Sequence, residues 1–326
     1  MFLHGITRCS SKVFRLTPFE KKPNFASGHH IMKNIIAKGL FKVLRGLLWL
    51  IALMPFSVLY FFSDILFLII FYLIRYRRKV TLKNLKNSFP EKSHSEIKAI
   101  EKKYYRNLAD IVFEFIKIEH ISRDSINKRM VIKNPKILST LYDQGKSVFI
   151  AIGHCGNWEW LGKKIALSTR HNAFAVMKPI HDPHFNDYMT QLRVRFHTPN
   201  LIEYKKTLRV LAKATDSANA VLIASDQTPT FGESNFWTTF LNQETAFFLG
   251  LEKIAISLDY AVLFFDIQRT GRGRYEIVIT PVSLDPRATQ PLEITNSYVK
   301  LLEEAIRSNP DNWLWSHRRW KHKKSA

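Results

Sequence analysis

Two cysteines in 326 residues, Cys9 and Cys155, cannot build a disulfide framework. Glycine (12) and proline (13) are sparse, which excludes collagen-like and low-complexity chains. Acids are also short: 27 Asp and Glu against 49 Lys and Arg leave a formal charge of +22. Because 46% of the residues are hydrophobic and 13% aromatic, this excess of base is not a disordered tail. The length allows one large domain or two modest ones. The missing acids call for an acidic partner: nucleic acid, an anionic membrane surface, a phosphorylated substrate or an acidic carrier protein.

What is present in quantity is hydrocarbon near the N-terminus. Leu47 to Ile74 is a run of 28 residues whose single charge is Asp64. As one helix it would extend roughly 42 Å, enough to cross a bilayer. Pro55, Ser57 and the Ser63-Asp64 pair interrupt it, so a span competes with two shorter pieces lying in the interface, and with a buried helix of a soluble core. Arg75, Arg77, Arg78, Lys79, Lys83 and Lys86 follow at once, favouring a cytoplasmic position for the rest and attraction to anionic lipid. Lys33, Lys38, Lys42 and Arg45 stand on the other side and oppose that orientation. Residues 1–31 read as a leader or a mis-assigned start, residues 32–92 as anchor and basic juxtamembrane segment.

Residues 93–326 read as one α/β domain with a mixed, mostly parallel central sheet flanked by helices. Ser93 to Ile118 has apolar residues at three- and four-residue intervals, and Ser93 with Glu96 forms a capping box. Thereafter short apolar runs alternate with helical periodicity: Ser147–Ile152, Ala173–Val176, Ala220–Ala224, Ala261–Ile267 and Arg274–Thr280 are the expected strands.

The strand Ser147–Ile152 runs into Gly153-His154-Cys155-Gly156-Asn157-Trp158-Glu159. If Asn157 caps the following helix, Glu159 lies in its first turn and His154 on the tight loop before it. Folding back over Gly156 would bring the Glu159 carboxylate to one imidazole nitrogen and leave the other facing a cleft beyond the strand ends. A histidine so oriented is a general base for a hydroxyl or amine attacking a carbonyl. Twelve histidines and 27 acids give about one such spacing by chance. An ordinary first-turn acid favoured by the helix dipole is therefore the competing reading. Cys155, a small residue in a tight loop, is not expected to be a nucleophile.

The segment GHCGNWEW resembles the His-x-x-x-x-acid motif of the bacterial lipid A biosynthesis (late, secondary) acyltransferases, within the lysophospholipid acyltransferase superfamily. Further matches in order are YRRKVTLKNLKNSFPE, the MKP tripeptide at Met177–Pro179, Ser225-Asp226-Gln227, FLNQETAFFLG at Phe240–Gly250 and NPDNWLWSHRRWK at Asn309–Lys321. The resemblance implies an inner-membrane enzyme with its catalytic domain on the cytoplasmic face. It would move a fatty acyl chain from acyl carrier protein to a hydroxyl of a lipid A precursor, with His154 and Glu159 as the dyad and no cofactor.

Other positions keep two readings each. Asn157 donates to the oxyanion or caps the helix. Lys178 stands where the family commonly has Arg, so it contacts substrate as a point charge or is a surface lysine. Asp226 and Gln227 bind substrate or make a turn, and Arg195 and Arg209 reach phosphates or water. Thr238 to Phe248 lines an acyl chain or packs the core. His181, His184 and Asp187 have no metal geometry because Pro183 interrupts them. The aromatic and basic C-terminus WLWSHRRWKHKK suits a lipid interface over nucleic acid. A lysophospholipid or aminolipid acceptor, and a non-catalytic basic membrane protein, are the alternatives.

Overall fold

The computed structural model describes residues 28–196, 200–229 and 236–324, with side chains from Lys38 onward. The expected leader lies outside the described residues except for its last four positions, which open a helix. The chain divides into a short N-terminal unit ending at Val43 and a body beginning at Leu44. Helix α1 (Gly28–Leu53) passes from one into the other.

In the body, Pro55 ends the first apolar helix and starts α2 (Phe56–Leu68), which runs on into a π-helical turn, Ile69–Leu73. The Ser63-Asp64 pair does not break α2; Ser63 is buried against the protein and Asp64 is exposed at the edge of the contact. Ser63 Oγ donates to Asp110 Oδ1 at 2.6 Å, and Arg272 bridges Asp64 and Asp110. Helix α3 (Arg78–Ser88) carries the basic stretch, and α4 (His94–Ile116) follows with the expected capping box: the Glu96 N–H donates to Ser93 Oγ and the Ser93 N–H to Glu96 Oε2.

The rest is α5 (Arg123–Arg129), β1 (Met130–Ile132), α6 (Lys136–Asp143), β2 (Val148–Ile152), α7 (Trp158–Ser168), β3 (Asn172–Met177), α8 (Pro183–Val194), β4 (Asn200–Glu203), α9 (Thr207–Leu211), β5 (Asn219–Ala224), β6 (Phe236–Phe240), β7 (Gln243–Phe247), α10 (Gly250–Leu258), β8 (Ala261–Gly271), β9 (Arg274–Ser283) and α11 (Glu293–Ser308). Seven strands form one sheet in the order β1-β9-β8-β2-β5-β3-β4, parallel throughout except for the β8–β9 hairpin. All five residues of β2 are buried, as a central parallel strand covered on both faces requires. Strands β6 and β7 pair separately as a hairpin across Leu241-Asn242, both at positive φ. This hairpin is where the sequence offered only an apolar stretch; Phe240 and Phe247 pack in the core, and of Thr238 to Phe248 only Phe248 reaches the cavity described below.

The C-terminal segment corrects an expectation. Trp313 and Trp315 are buried at 2% and 0% exposure, so they are core residues and not an interfacial belt. Truncating either to alanine would cost roughly 3–5 kcal/mol. The segment after α11 is held from several directions: Asn84 Nδ2 donates to the carbonyls of Trp315 and His317, Arg77 Nη1 to that of Ser316, and Tyr104 Oη to Ser316 Oγ. Only Arg318, Lys321, Lys323 and Lys324 keep this end basic toward solvent.

Candidate active site

Strands β2 and β5 are parallel neighbours with Ile152 opposite Ala224. Two residues past each strand end stand His154 and Asp226, side by side for that reason. Asp226 Oδ1 lies 2.5 Å from His154 Nδ1, and Asp226 Oδ2 accepts from the His154 backbone N–H (2.8 Å) and from Trp313 Nε1 (2.7 Å). The two flanking glycines are demanded by space. A Cβ on Gly153 would meet Leu302 Cδ1 at 2.5 Å; Gly156 sits at φ +53°, and a Cβ there would meet Ile267 Cγ2 at 2.9 Å.

Glu159 is not on the imidazole. From the first turn of α7 its carboxylate takes a two-point ion pair from Arg193, Nε to Oε2 at 3.0 Å and Nη2 to Oε1 at 2.5 Å. The expectation failed because the acid adjacent in sequence was weighed without the strand register, which delivers Asp226 from 72 residues away. Arg193, at the end of α8, carried no signal in the sequence that set it apart from its neighbours.

Burial alone would make the Asp226 carboxylate a weaker acid. The charge and hydrogen bonds of His154, with Trp313 adding its N–H, outweigh that and hold it down at about 2. Burial likewise disfavours the charged imidazole, but the Asp226 charge and hydrogen bond, helped by Glu159, raise His154 above its ordinary value. With Asp226 ionised, the proton of the neutral ring sits on Nδ1 and Nε2 is the acceptor. Gln227 Nε2 lies 3.2 Å from that atom. The Cys155 thiol is buried, and burial pushes it well above its usual range, as suits a packing residue.

Nε2 opens on a cavity of about 420 Å³. Residues of the sheet, Ile152, Ala175, Val176, Leu201, Leu222 and Ala224, give it apolar walls, and His154, Glu159, Lys178, Arg193 and Gln227 are among its polar lining. Lys178 is exposed at its rim, and Gln227 lines it too, the latter as expected of a residue following β5. Asp226 is in the same place but behind the imidazole, as its partner and not as a substrate ligand.

Three other residues are placed elsewhere. Asn157 is fully buried; its Oδ1 caps α7 by accepting from the Trp160 N–H, and its Nδ2 donates to Glu114 Oε2, so neither end faces the cleft. Arg195 Nη1 donates to the carbonyls of Ile118 and Ile121, and Arg209 is exposed outside the cavity lining. Asp182 caps α8 through the Phe185 N–H. Glu114 itself, buried in α4, also accepts from Tyr275 Oη (2.7 Å) and from Tyr60 Oη of α2 (3.0 Å). A single carboxylate therefore ties the apolar helix to the loop that carries His154.

An α/β sheet with a carboxylate-held histidine at its carboxyl edge, beside a partly apolar cavity, is an arrangement in which an imidazole can act as a base next to a hydrocarbon chain. The model of the bacterial lipid A biosynthesis acyltransferase family matches residues 34–322, and the chain belongs to that family; it is an acyltransferase. It is 23% identical over 279 residues to the lipid A biosynthesis palmitoleoyltransferase of Escherichia coli (strain K12), covering 85% of this chain and 89% of the relative. The Shigella flexneri lipid A biosynthesis acyltransferase matches equally, and the Escherichia coli (strain K12) lipid A biosynthesis lauroyltransferase is 22% identical over 281 residues, at the same coverage of both chains.

Proposed function

We propose that this enzyme moves a fatty acyl chain from an acyl carrier protein thioester to a hydroxyl group of a lipid A precursor. The observation that carries the reading is the His154 imidazole with Nδ1 engaged by Asp226 and Nε2 turned into the cavity. Nε2 takes the proton of the acceptor hydroxyl as its oxygen attacks the thioester carbonyl. The C–S bond then breaks, and the imidazolium returns the proton to the departing thiolate. The Asp226 charge stabilises the imidazolium between these two transfers. Lys178 at the rim supplies positive charge for the developing oxyanion or a glycolipid phosphate, as a point charge without the planar fork of arginine. The acyl chain lies along the apolar wall. The names of the relatives support a lipid A precursor as acceptor.

The same reading places the enzyme on the cytoplasmic face of the bacterial inner membrane, lying on anionic lipid. Helix α2 is tied along one side by Tyr60, Ser63 and Asp64 to Glu114, Asp110 and Arg272, while Phe61 and Leu68 on its remainder and Leu73 in the π-helical turn are exposed at 63%, 53% and 78%. A span through the bilayer would draw Asp110 and Arg272 toward hydrocarbon, at about 2.5–3.5 kcal/mol per charge. A flat attachment avoids this and leaves Arg75, Lys79, Lys83 and Lys86 beside the headgroups.

The test is the purified protein with acyl carrier protein loaded with several chain lengths and a Kdo-bearing lipid A precursor, products weighed by mass spectrometry. One added acyl chain on the precursor, lost in His154→Ala and Asp226→Asn, is the expected result. Transfer to a lysophospholipid instead would overturn the acceptor; full activity of either variant would overturn the mechanism.

A further inference from the structure

The family-like C-terminal stretch does more than fill the core. We propose that Trp313 is a positioning residue of the base: its indole fixes the Asp226 carboxylate and so sets how firmly His154 holds its proton. This rests on the reading of His154 as general base.

The geometry begins with the backbone. The Gly156 N–H donates to the Asn312 carbonyl at 3.0 Å, Asn312 Nδ2 donates to the Ile267 carbonyl, and Cys155 makes an isolated antiparallel bridge with Trp313. The catalytic loop is thus laid against the C-terminal segment, and the Trp313 indole arrives at Asp226 Oδ2 with the His154 backbone N–H on the same oxygen. Each carboxylate oxygen is then engaged, which leaves the Oδ1 to Nδ1 bond a fixed direction.

The other titratable groups acting on the pair are Cys155, Tyr298, His317 and Arg319 around Asp226, and Glu159 and Arg193 around the imidazole. Burial holds His317 at about 4 and keeps the thiol and the phenol neutral. Arg319, buried, donates from Nη2 to the Ala246 carbonyl at 2.6 Å and lies over the Phe247 ring. These groups are the same in every variant compared below, so the Trp313 N–H is the one contact on the carboxylate that changes.

The sign follows. The Trp313 N–H draws part of the Asp226 charge away from the imidazole. Removing it makes the imidazolium easier to form, so the neutral base is lost at a higher pH.

The experiment is the pH profile of kcat/KM of full-length protein in detergent, with acyl-loaded carrier protein and lipid A precursor, for Trp313→Phe and for Trp313→Gln, which keeps an N–H donor on the side chain. Thermal midpoints are read beside the profiles. Trp313→Phe should lower kcat about tenfold with KM nearly unchanged and move the acid limb up by about half a pH unit. Trp313→Gln should bring the limb back toward its original position. A limb that stays put in a Trp313→Phe protein that folds, or moves down, overturns the inference, since a merely structural role lowers activity or stability without moving it. Loss of the fold in both variants is the result of a structural role and also overturns it. Asp226→Asn is the control that separates the two levels: full activity there sinks the base itself, whereas an inactive Asp226→Asn with an unmoved limb in Trp313→Phe sinks only the role of Trp313.

Discussion

Two carboxylates flank one histidine, and they differ in how they get there. Glu159 is five residues along the chain and on the same loop-helix unit, yet its oxygens go to Arg193. Asp226 is 72 residues away, and strand register carries it to within 2.5 Å of the ring. Parallel register sets the residues just past neighbouring strand ends side by side, so this histidine–carboxylate contact is specified by topology and not by spacing along the chain.

Exchanging the two acids one at a time is the sharpest way to break this comparison. Asp226→Asn should lower kcat on the order of 10³–10⁴-fold, because the amide cannot hold the same tautomer or stabilise the imidazolium. Glu159→Gln should cost about 10²-fold by releasing Arg193 at the cavity, and Arg193→Gln together with it should be little worse than either alone, a double-mutant cycle that identifies one coupled unit. A Glu159→Gln enzyme more damaged than Asp226→Asn would reverse the assignment. The pH profile adds a second reading. Since Asp226 raises His154 above its ordinary 6.5, kcat/KM should fall as pH drops through a midpoint above 6.5, and Glu159→Gln should move that midpoint slightly downward.

Smaller effects test the frame around the pair. Gly156→Ala forces a side chain into a left-handed position against Ile267 and Tyr275, and should destabilise by about 1–3 kcal/mol, measured by thermal or denaturant unfolding in detergent. Lys178→Ala, at the exposed rim, should raise the acceptor KM only about two- to fivefold, and Lys178→Arg should lower it if a phosphate sits there. A large kcat effect at Lys178 would move the chemistry from the sheet edge to the rim.

Much of the scaffold was legible because burial writes itself into composition. The runs that become β2, β5 and the first half of β8 are continuous and apolar, β3 and β9 are shorter or alternating runs, and the Ser93/Glu96 box marks the start of α4 to the residue. Strand β1 has three residues and β4 four, too few for a periodicity to declare itself, and the β6–β7 hairpin hid in a stretch whose turn, Leu241-Asn242, lacks a glycine. His154 was legible from its strand end and flanking glycines. Its partner was not, because register between β2 and β5 is a property of two segments and no single window contains it. Trp313 misled for a related reason: an aromatic beside arginines suggests an interface, and only the packing tells that the indole N–H points inward at a carboxylate.

The bond from Tyr60 to Glu114, and from Glu114 on to Asn157, changes what the apolar helix is for. An anchor that were only a tether could be cut away to give a soluble enzyme. Here, deleting α2 would expose the Glu114 carboxylate, strip the Asp110 cluster of Ser63 and loosen the cap of the helix that follows His154. For anyone preparing this enzyme, the hydrophobic segment is part of the catalytic fold, and shortening the chain before residue 75 should yield protein that is easier to dissolve and unable to work.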